Sequence, residues 1–514
     1  MGLQLRKHAC FAHAVPAFFH VNDVHAHLDQ YSSSGTDCTR PERGCFGGYA
    51  RIKHTIDTER PKHDDSLWLN VGDEFQGTLF YTYYGGEKIA ETLNQLGFDA
   101  MTLGNHEFDG GDDKLGDFLQ NLTNIPIVSA NIQSTHPTLN KTIKPYHIFP
   151  DKGLALIGVT TEDTPGISKP GNGTTFSNAV EAVQNAIDEI KSKTNITRIA
   201  AITHIGYDKD QELAAATSGL HLIMGGHSHT PLGNMSNAVG PYPTITKNKD
   251  GEEVFIVTAY RWGEYVGYID VTYDCDGKIL AYHGAPIHMT NTTKQDEGLQ
   301  KQIDAWREPF AEFAGEVLGS TNVELDQTTC QEQECLLGDY MADAMLDYRK
   351  ASSPDVAFAL INAGGIRATI DAGEITRGEV LTAFPFGNAV VEIKLSGADV
   401  WDVIEGIVSD VNVKNGKEVT SFFQISTGIK VQYNPDAVSG GRLVAVEIDG
   451  EPLDEAKEYG IVTLDFLAGG GDNIFTATKD FVTLDTQDEV LVQYVKKTSP
   501  IDISLDGRIE KVSA

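Results

Sequence analysis

Short apolar runs alternate with amphipathic stretches from Phe18 to about Thr290. The longest amphipathic stretch, SNAVEAVQNAIDEIKSK, has apolar residues at helical spacing and begins with a serine that can cap a helix. The apolar runs have the length of buried strands, and five of them are FFHV, LWLNV, ALIGVT, RIAAIT and LHLIM. This rhythm predicts an α/β domain.

The second part of the chain has a different organisation. Residues 296–319 have a mostly helical pattern, interrupted at Pro309, and carry no catalytic-looking cluster, so we interpret them as a connector. The runs DVAFALIN, AVVEIKLSG, GIKVQYN and RLVAVEIDG, bounded by glycine and asparagine, predict strands in a second module. We divide the 514 residues into a leader or N-terminal extension (1–17), a first domain (18–295), a helical connector (296–325) and a second domain (326–514).

Composition and charge exclude several classes of function. Hydrophobic residues make up 40% and charged residues 22%, and the formal net charge is −33, which disfavours binding to nucleic acid or anionic membranes. No run approaches the roughly 20 apolar residues of a membrane span, and the polar C-terminus lacks a lipid-anchor signal. An anionic substrate would therefore need a local cluster of metal ions or arginines.

Two features favour a secreted protein, although MGLQLRKHACFAHAVPA is a poor secretory signal because His8 and His13 interrupt its apolar run. Cysteines at 38 and 45, and at 330 and 335, are close enough for two short-loop disulfides, with free thiols as the alternative. There are also six Asn-x-Ser/Thr acceptor sites for glycosylation, at Asn121, Asn140, Asn172, Asn195, Asn234 and Asn291.

Metal-competent side chains directly follow the predicted strands. Because ligands gather at the carboxyl ends of strands in open α/β sheets, these segments can converge on one crevice. Aspartate and histidine suit zinc, manganese or iron, and two such ions can support phosphoryl displacement. Any one of these residues alone is more often a cap or a turn residue. The segments are NDVHAH (Asp23, His25, His27), NVGDEFQG (Asp73), LGNHEFD (Asn105, His106, Asp109), ITHIG (His204) and MGGHSH (His227, His229).

The series NDVHAH, GDEFQGTLFY, GNHEFDGG, SANI, THIGYD and GGHSH resembles the calcineurin-like metallophosphoesterase half of the 5′-nucleotidase family. The resemblance implies a four-layer α/β/β/α domain, joined by a helical linker to a second α/β (α+β) nucleotide-binding domain. It also implies two divalent metal ions, with zinc as the first expectation and manganese, magnesium or iron as alternatives. One ion would be held by Asp23, His25 and His229 and the other by Asn105, His204 and His227, with Asp73 bridging.

The same resemblance separates the roles within GNHEFD. His106 would face the substrate and stabilise the phosphoryl transition state, and Asp109 would orient its ring. Glu107 and Asp112 are interpreted as structural or solvated. His27 is left between a supporting position behind the ligands and a phosphate contact.

In the second half, INAGGIR, FPFGN and LDFLAGGGDN would by themselves be ordinary turns with core phenylalanines. They resemble the nucleotide-binding segments of the family's C-terminal domain. The resemblance implies that the active site lies between domains that rotate against each other. It further implies that Phe386 and Phe466 stack on the base, Arg367 and Asn362 contact the nucleotide and Asp472 binds the ribose.

One segment departs from the family pattern. The loop matching CQEQEC carries arginines in animal ecto-5′-nucleotidase, whereas this sequence has Gln331 and Gln333. Losing a charged donor should weaken phosphate or ribose contacts unless another residue, such as Arg442, replaces it. Substrate preference is therefore more open than reaction type.

These residues lead to one hypothesis and its alternatives. We expect a secreted enzyme that hydrolyses nucleoside 5′-monophosphates, AMP included, to nucleoside and phosphate, with a metal-bound hydroxide attacking phosphorus in line. Apyrase, UDP-sugar hydrolase or 2′,3′-cyclic nucleotide phosphodiesterase activity at the same site is the alternative within this class. A non-catalytic nucleotide-binding protein is the alternative outside it. Monomer and homodimer both stay open.

Overall fold

The computed structural model describes residues 13–32, 35–38, 44–478 and 481–513. Within these, the chain forms two compact units. The first contains the described residues up to 31, 44–76 and 80–306, and the second contains residues 32, 35–38, 77–79 and the described residues from 307 onward.

The first part of the chain contributes sixteen strands and eight helices among the described residues. The strands are β1 (His13–Val21), β2 (Ser66–Asn70), β3 (Ala100–Met101), β4 (Ile127–Val128), β5 (Ile132–Ser134), β6 (Ile143–Lys144), β7 (Tyr146–Phe149), β8 (Leu154–Thr160), β9 (Thr174–Phe176), β10 (Arg198–His204), β11 (Leu222–Gly225), β12 (Thr244–Lys247), β13 (Glu253–Thr258), β14 (Tyr265–Tyr273), β15 (Ile279–Gly284) and β16 (Ile287–His288). The helices are α1 (Tyr49–Glu59), α2 (Leu79–Tyr84), α3 (Glu87–Leu96), α4 (Gly111–Asn121), α5 (Pro137–Thr142), α6 (Thr164–Ile167), α7 (Ala179–Lys193) and α8 (Tyr207–Ala216).

Two mixed sheets pack face to face in the first unit. One has the order β15-β14-β1-β2-β3-β4-β6, with β1, β2, β3, β4 and β6 parallel, and the other has the order β12-β13-β11-β10-β8-β7. Leu67 and Leu69 of the first sheet share a core with Leu154 and Leu156 of the second. Ala155, alternating with these leucines, points to the opposite face, where α7 and α8 pack.

A long helix, α9 (Glu297–Ala314), runs through the predicted connector, and the predicted interruption at Pro309 is wrong. Proline removes one backbone hydrogen bond, but Ile303 and Phe310 on the helix are buried, and this burial offsets the loss.

The second unit has its own core and its own sheets. A five-stranded sheet has the order β21-β18-β25-β20-β26, and a four-stranded sheet has the order β24-β23-β22-β27. The prediction of two α/β domains is confirmed. The elements are β17 (Val317–Thr321), α10 (Leu336–Lys350), β18 (Val356–Asn362), β19 (Gly373–Thr376), α11 (Arg377–Ala383), β20 (Ala389–Ser396), α12 (Gly397–Val408), β21 (Phe423–Ile425), β22 (Ile429–Tyr433), β23 (Leu443–Ile448), β24 (Glu451–Pro452), β25 (Glu458–Leu464), α13 (Asp465–Ala468), β26 (Val482–Thr486), α14 (Gln487–Thr498) and β27 (Ile509–Lys511).

Three predicted boundaries move. The division between units falls at 306/307, and β17, assigned to the connector from sequence, pairs with β19 and is part of the second unit. The first strand begins at His13, inside the predicted leader, because residues 13–17 pair with β14. Helix α7 is capped by Asn178 rather than by the preceding serine, since the Asn178 side chain accepts a hydrogen bond from the backbone N–H of Glu181 at 3.0 Å.

The cysteine prediction is tested in part. Cys330 and Cys335 form a disulfide, and Cys38, Cys45 and Cys275 are also disulfide-bonded, so the free-thiol alternative is wrong for these residues. Cys10 lies outside the described residues. Within the described ranges, every helix is too short or too polar to span a bilayer.

Candidate active site

Seven side chains predicted as metal ligands meet at one end of the first unit. They follow strands that neighbour one another: β1, β2 and β3 are adjacent in one sheet, and β10 and β11 are adjacent in the other. These strands run parallel within each sheet, so their carboxyl ends meet at one edge. Residues after those ends, together with His204 at the end of β10, are Asp23, His25, Asp73, Asn105, His204, His227 and His229.

The donor atoms form three overlapping groups: Asp23 with His25 and His229, Asp73 with His204 and His227, and, sharing members with both, His25 with Asp73 and His106. In the first, the Nε2 atom of His229 lies 3.4 Å from Asp23 Oδ1 and 3.0 Å from His25 Nε2. In the second, Asp73 gathers with His204 and His227, and His204 Nε2 lies 3.0 Å from Asp73 Oδ2. Asp73 Oδ2 is also 3.8 Å from His25 Nε2, which places this carboxylate between the groups.

Backbone carbonyls fix the orientation of two of the histidine rings. His25 Nδ1 donates to the carbonyl of Phe75 at 3.1 Å, and His204 Nδ1 donates to the carbonyl of Val71 at 2.8 Å. Since Nδ1 carries a proton in each bond, Nε2 is the ring nitrogen that faces the carboxylates. This orientation allows Nε2 to bind a metal ion when it carries no proton of its own.

The loops adopt backbone conformations that ordinary residues avoid. Five of the seven residues have φ between 49° and 83°, in the left-handed region, where non-glycine residues are strained. Glycine then permits the close approach of the loops, because a Cβ on Gly104 would lie 2.1 Å from Asp73 Oδ1. The five strained residues are Asp23, His25, Asp73, His227 and His229.

Asn105 gives independent support for the binding of a cation at this centre. Its side chain is 2% exposed, yet its Oδ1 accepts no hydrogen bond from the described part of the chain. A buried amide oxygen without a donor is costly, and a bound cation would satisfy it.

The carboxylates and histidines shift one another's pKa values strongly. Burial acts to raise the pKa of Asp73, but the histidines around it, His204 first, hold that pKa well below its ordinary value. Burial acts to lower the pKa of His204, but Asp73 and Asp23 raise it to about 10. For His227, burial and the neighbouring His204 lower the pKa to about 4. The centre thus attracts positive charge, and metal ions would displace the proton from His204.

His106 and Asp109 form a dyad beside this centre. His106 Nδ1 lies 2.7 Å from Asp109 Oδ2, and Ser168 donates to the other carboxylate oxygen at 2.5 Å. The backbone N–H of His106 donates to Asp73 Oδ1 at 2.9 Å. The segment GNHEFD therefore fixes the Asp73 carboxylate through the backbone N–H of His106 and also carries the partly exposed imidazole of His106.

Glu107, interpreted from sequence as structural or solvated, is structural. It is fully buried, and its carboxylate accepts backbone hydrogen bonds from Asp73, Glu74, Phe75 and Gly104 at 2.6–3.3 Å. It ties the loop after β2 to the loop after β3. Asp112 is also structural, because it accepts hydrogen bonds from Gly171 N and the Thr174 hydroxyl.

Two supporting residues were not identified from sequence. Asn22 donates to Asp23 Oδ2 at 2.7 Å and to the carbonyl of Tyr260 at 2.6 Å, and Ser168 positions Asp109 as described above. Asn22 was visible at the start of NDVHAH, but Ser168 lies 59 residues from Asp109 and gave no local signal.

His27 occupies a supporting position. Its Nδ1 donates to the carbonyl oxygens of Val24 and His25, both at 2.9 Å, and its ring stacks on Trp262 with 4.8 Å between centroids. It is 4% exposed. These contacts shape the loop that carries Asp23 and His25.

In the second unit, the predicted substrate residues lie in two pairs and a separate aromatic. Asn362, at the end of β18, donates to Asp472 Oδ2 at 2.6 Å, and its own Oδ1 is buried without a donor among the described residues. The guanidinium of Arg367 lies 5.7 Å from the ring centroid of Phe386. Phe466 is half-buried and its ring lies against Gly471, where a Cβ would come within 2.5 Å.

Gln331 lies beside the segment INAGGIR, which contains Gly364. Its Oε1 accepts a hydrogen bond from the backbone N–H of Phe422 at 3.1 Å, and its Nε2 is 3.4 Å from the position of a Cβ on Gly364. Arg442, considered as a replacement for the absent arginine, instead donates to the carbonyl of Val408 and to Asp410. It is engaged in local structure.

Comparison with known proteins bears on this geometry. Residues 16–231 match the family model for calcineurin-like phosphoesterases, and residues 317–480 match the model for the 5′-nucleotidase C-terminal domain. The chain is 33% identical to bovine (Bos taurus) 5′-nucleotidase, over 96% of this chain and 90% of that protein. The chain is a member of the 5′-nucleotidase family.

Two further relatives extend the comparison. A snake venom 5′-nucleotidase from Gloydius brevicauda is 32% identical over 95% of this chain and 87% of its own length. The crystal structure of a 5′-nucleotidase precursor from Thermus thermophilus has a TM-score of 0.88, with 32% identity over 97% of this chain and 100% of that chain. Membership of this family makes the protein a phosphoric monoester hydrolase.

Proposed function

We propose that this enzyme hydrolyses AMP and related nucleoside 5′-monophosphates at a centre of two divalent metal ions, with zinc as the first expectation. The observation that carries the proposal is the position of Asp73, between two groups of histidines and bonded to the backbone of His106. A carboxylate so placed can bridge two ions and fix the residue that meets the phosphate.

The residues present fit two metal ions. Histidine Nε2 atoms and carboxylate oxygens converge, and the buried Asn105 Oδ1 lacks a donor among the described residues. One ion would be held by Asp23, His25 and His229, the other by Asn105, His204 and His227, and both by Asp73. When bound, the ions would supply charge neutralisation at the phosphate and activation of a water molecule.

His106 and Asp109 are proposed to act on the phosphate. Asp109 accepts the Nδ1 proton of His106, which fixes the ring and favours a second proton on Nε2. A protonated Nε2 can donate to a phosphate oxygen where negative charge develops during displacement. Ser168 keeps Asp109 in place through its hydrogen bond to the other oxygen.

The second unit is proposed to recognise the nucleoside. Phe386 and Phe466 offer aromatic faces for a base, and Arg367 and Asn362 offer donors. Asp472 would bind ribose, although both of its carboxylate oxygens already accept hydrogen bonds, from Thr420 and Asn362. A carboxylate oxygen can accept more than one hydrogen bond, so these contacts are compatible with binding of a ribose hydroxyl.

We also propose that the protein is a secreted glycoprotein. A venom relative, several disulfide-bonded cysteines and six exposed acceptor asparagines support this.

Hydrolysis of AMP, ADP, ATP and UDP-glucose, measured by chromatography of the nucleotide and nucleoside products together with phosphate release, with and without a chelator, tests the proposal. We expect AMP to be the best substrate and the chelator to abolish activity. An Asp73→Asn variant should lose activity as well, because the bridging carboxylate becomes a weaker ligand. Activity that survives both treatments would refute the two-metal mechanism.

Gln331 favours the alternative in which UDP-glucose or ATP is the preferred substrate, and the same assay tests this alternative. Because position 331 carries glutamine and not arginine, the second unit has one positive charge fewer near Gly364 to bind a phosphate or a ribose. A kcat/KM for UDP-glucose or ATP above that for AMP would assign the alternative specificity. Tight AMP binding without phosphate release would instead indicate a non-catalytic nucleotide-binding protein.

A further inference from the structure

A second group of oxygen ligands lies in the second unit, apart from the centre described above. It joins three segments: the disulfide loop at Glu334, the first turn of α10 at Asp339, and the turn before β27 at Asp506. One carboxylate oxygen from each residue lies within 4.8 Å of the others. All three belong to the part of the chain after 306, so the group forms within a single unit.

The decisive residue is Asp339, because its carboxylate is buried and lacks a hydrogen-bond donor among the described residues. The residue is 2% exposed, and neither Oδ1 nor Oδ2 accepts a hydrogen bond from that part of the chain. The nearest cation is Arg508, whose Nε lies 3.8 Å from Asp339 Oδ2, beyond hydrogen-bond distance. Leaving a buried carboxylate in this condition is costly.

Arg508 is largely used by other acceptors. Its Nε donates to Asp506 at 2.9 Å, its two terminal nitrogens donate to the two oxygens of Asp343 at 2.9 Å, and Nη1 also donates to the carbonyl of Ile425 at 3.1 Å. One guanidinium therefore faces three carboxylates, at Asp339, Asp343 and Asp506. The carboxylate of Glu334 adds a fourth negative charge to the group. A divalent cation would reduce the excess negative charge.

Glu334 has the geometry of a preformed ligand. Its Oε1 accepts the backbone N–H groups of Asp506 and Gly507, both at 3.1 Å, and its Oε2 accepts that of Ile509 at 3.0 Å. These bonds fix the carboxylate and use both lone pairs of Oε1, so that Oε2 is the oxygen with a lone pair for an ion. Asp506 has a half-exposed side chain, which gives an ion access from solvent.

We propose that Glu334, Asp339 and Asp506 form a structural calcium site in the second unit. The ligands are all carboxylate oxygens, which calcium prefers, and no nitrogen or sulfur ligand is present in the group. Oxygens on opposite sides of a calcium ion are separated by about 4.6–5.2 Å, given calcium–oxygen distances of about 2.3–2.6 Å. Separations of up to 4.8 Å are compatible with one ion shared by three carboxylates.

The ion would link the C-terminal strand to the loop that carries Gln331. Glu334 lies inside the loop closed by Cys330 and Cys335, and Gln331 in that loop contacts the segment at Phe422. Binding would therefore stabilise the second unit and hold this loop. This inference does not rest on the proposed substrate.

Calcium titration of the full chain, with the two-metal centre first loaded with two equivalents of Zn²⁺, tests the site. We expect one Ca²⁺ per chain by isothermal titration calorimetry, and a rise in the thermal midpoint in CaCl₂ that MgCl₂ does not reproduce. Asp506→Asn and Asp339→Asn should each weaken the calcium affinity at least about tenfold, since each removes a charged ligand.

Asp502→Asn is the matched control, because Asp502 is exposed and lies in the same segment. It removes the same charge and should leave calcium binding unchanged. Asp506→Asn changes a half-exposed side chain and is expected to fold even if Asp339→Asn does not.

Three results would overturn the site. The first is the absence of saturable calcium binding by the zinc-loaded wild type, and the second is equal loss of binding in Asp502→Asn and Asp506→Asn. The third is an Asp339→Asn variant as stable as a calcium-insensitive wild type, which would mean that Asp339 is a neutral carboxylic acid. Burial raises the pKa of Asp339 to about 8, so a neutral form is the physical alternative.

Discussion

At the scale of single residues, the proposed roles of Asn105 and His106 in GNHEFD separate metal binding from phosphate chemistry. His106→Ala should lower kcat for AMP about 10²- to 10³-fold, as expected for the loss of one donor to a charged transition state, while both metals stay bound. The alanine keeps the backbone N–H that holds Asp73. Asn105→Ala should instead release one ion, measured by elemental analysis after desalting. Equal metal loss in both variants would contradict the separation.

Glu107 makes a second prediction at this scale. Glu107→Gln replaces a carboxylate that accepts four backbone N–H groups by an amide with one acceptor oxygen. The free energy of unfolding should fall by about 2–3 kcal/mol, since hydrogen bonds to charged groups contribute about 1.5–3 kcal/mol each. The metal concentration needed for half-maximal activity should rise, because the Asp73 loop loses its anchor.

Urea unfolding and metal titration of activity would measure these two effects. Asp113→Asn serves as the control, since Asp113 is a 98% exposed carboxylate on the adjacent α4. If the Glu107 variant kept wild-type stability and metal requirement, the carboxylate would not be the anchor of this loop.

Gln331 in the CQEQEC loop also allows a gain-of-function test. Gln331→Arg places a cation beside Gly364, and one charge-assisted hydrogen bond to substrate would lower KM for AMP about tenfold, equivalent to about 1.4 kcal/mol. The kcat should change little. Gln333→Arg in the same loop is the comparison, and equal effects of both variants would indicate a general charge effect rather than a contact.

At the scale of elements, the pattern of apolar runs predicted the strands of the fold more accurately than the sequence predicted where the helices begin and end. The apolar runs identified β1, β2, β8 and β10, and the residues after them were placed at one edge by the parallel order of the strands. The helix through Pro309 was not predictable, because burial of Ile303 and Phe310 is a tertiary effect. The cap of α7 shifted by one residue for a local reason, since serine and asparagine are equally good caps.

Site support was the least predictable part. The metal-competent residues could be found because they recur after strands, but Ser168 and the four backbone contacts of Glu107 depend on distant segments. The cluster of Glu334, Asp339 and Asp506 has no motif, because it joins residues up to 172 positions apart. Spacing in sequence gives no signal for such contacts.

The first strand carries a pH prediction. His20 on β1 is fully buried, its Nδ1 has no hydrogen-bond partner among the described residues, and burial lowers its pKa to about 3. In the unfolded chain its pKa is near 6.5, so the unfolded state gains a proton first as pH falls. The stability that neutral His20 contributes is present above about pH 6.5 and is lost progressively below it.

Denaturant unfolding in chelator at pH 7.5 and pH 5.0 measures this contribution. The wild type should lose about 2 kcal/mol more than His20→Leu between the two pH values, from about 1.4 kcal/mol per pH unit below about 6.5. The chelator removes metal ions at both pH values, so that metal release does not contribute to the change in the free energy of unfolding of either protein. An identical pH dependence in both proteins would mean that folding does not shift the pKa of His20.

At the scale of the whole molecule, a formal net charge of −33 opposes the approach of an anionic nucleotide. The proposed metal ions and Arg367 would act only near the substrate, whereas the repulsion extends over roughly 30 Å at 10 mM salt and about 10 Å at 100 mM. Raising NaCl from 10 to 150 mM should therefore increase kcat/KM for AMP. The kcat at saturating AMP should stay constant, since bound substrate no longer feels the approach barrier. A kcat/KM that falls with salt would show instead that a local positive field at the two-metal centre dominates capture, and would assign steering to the bound ions rather than to the global charge.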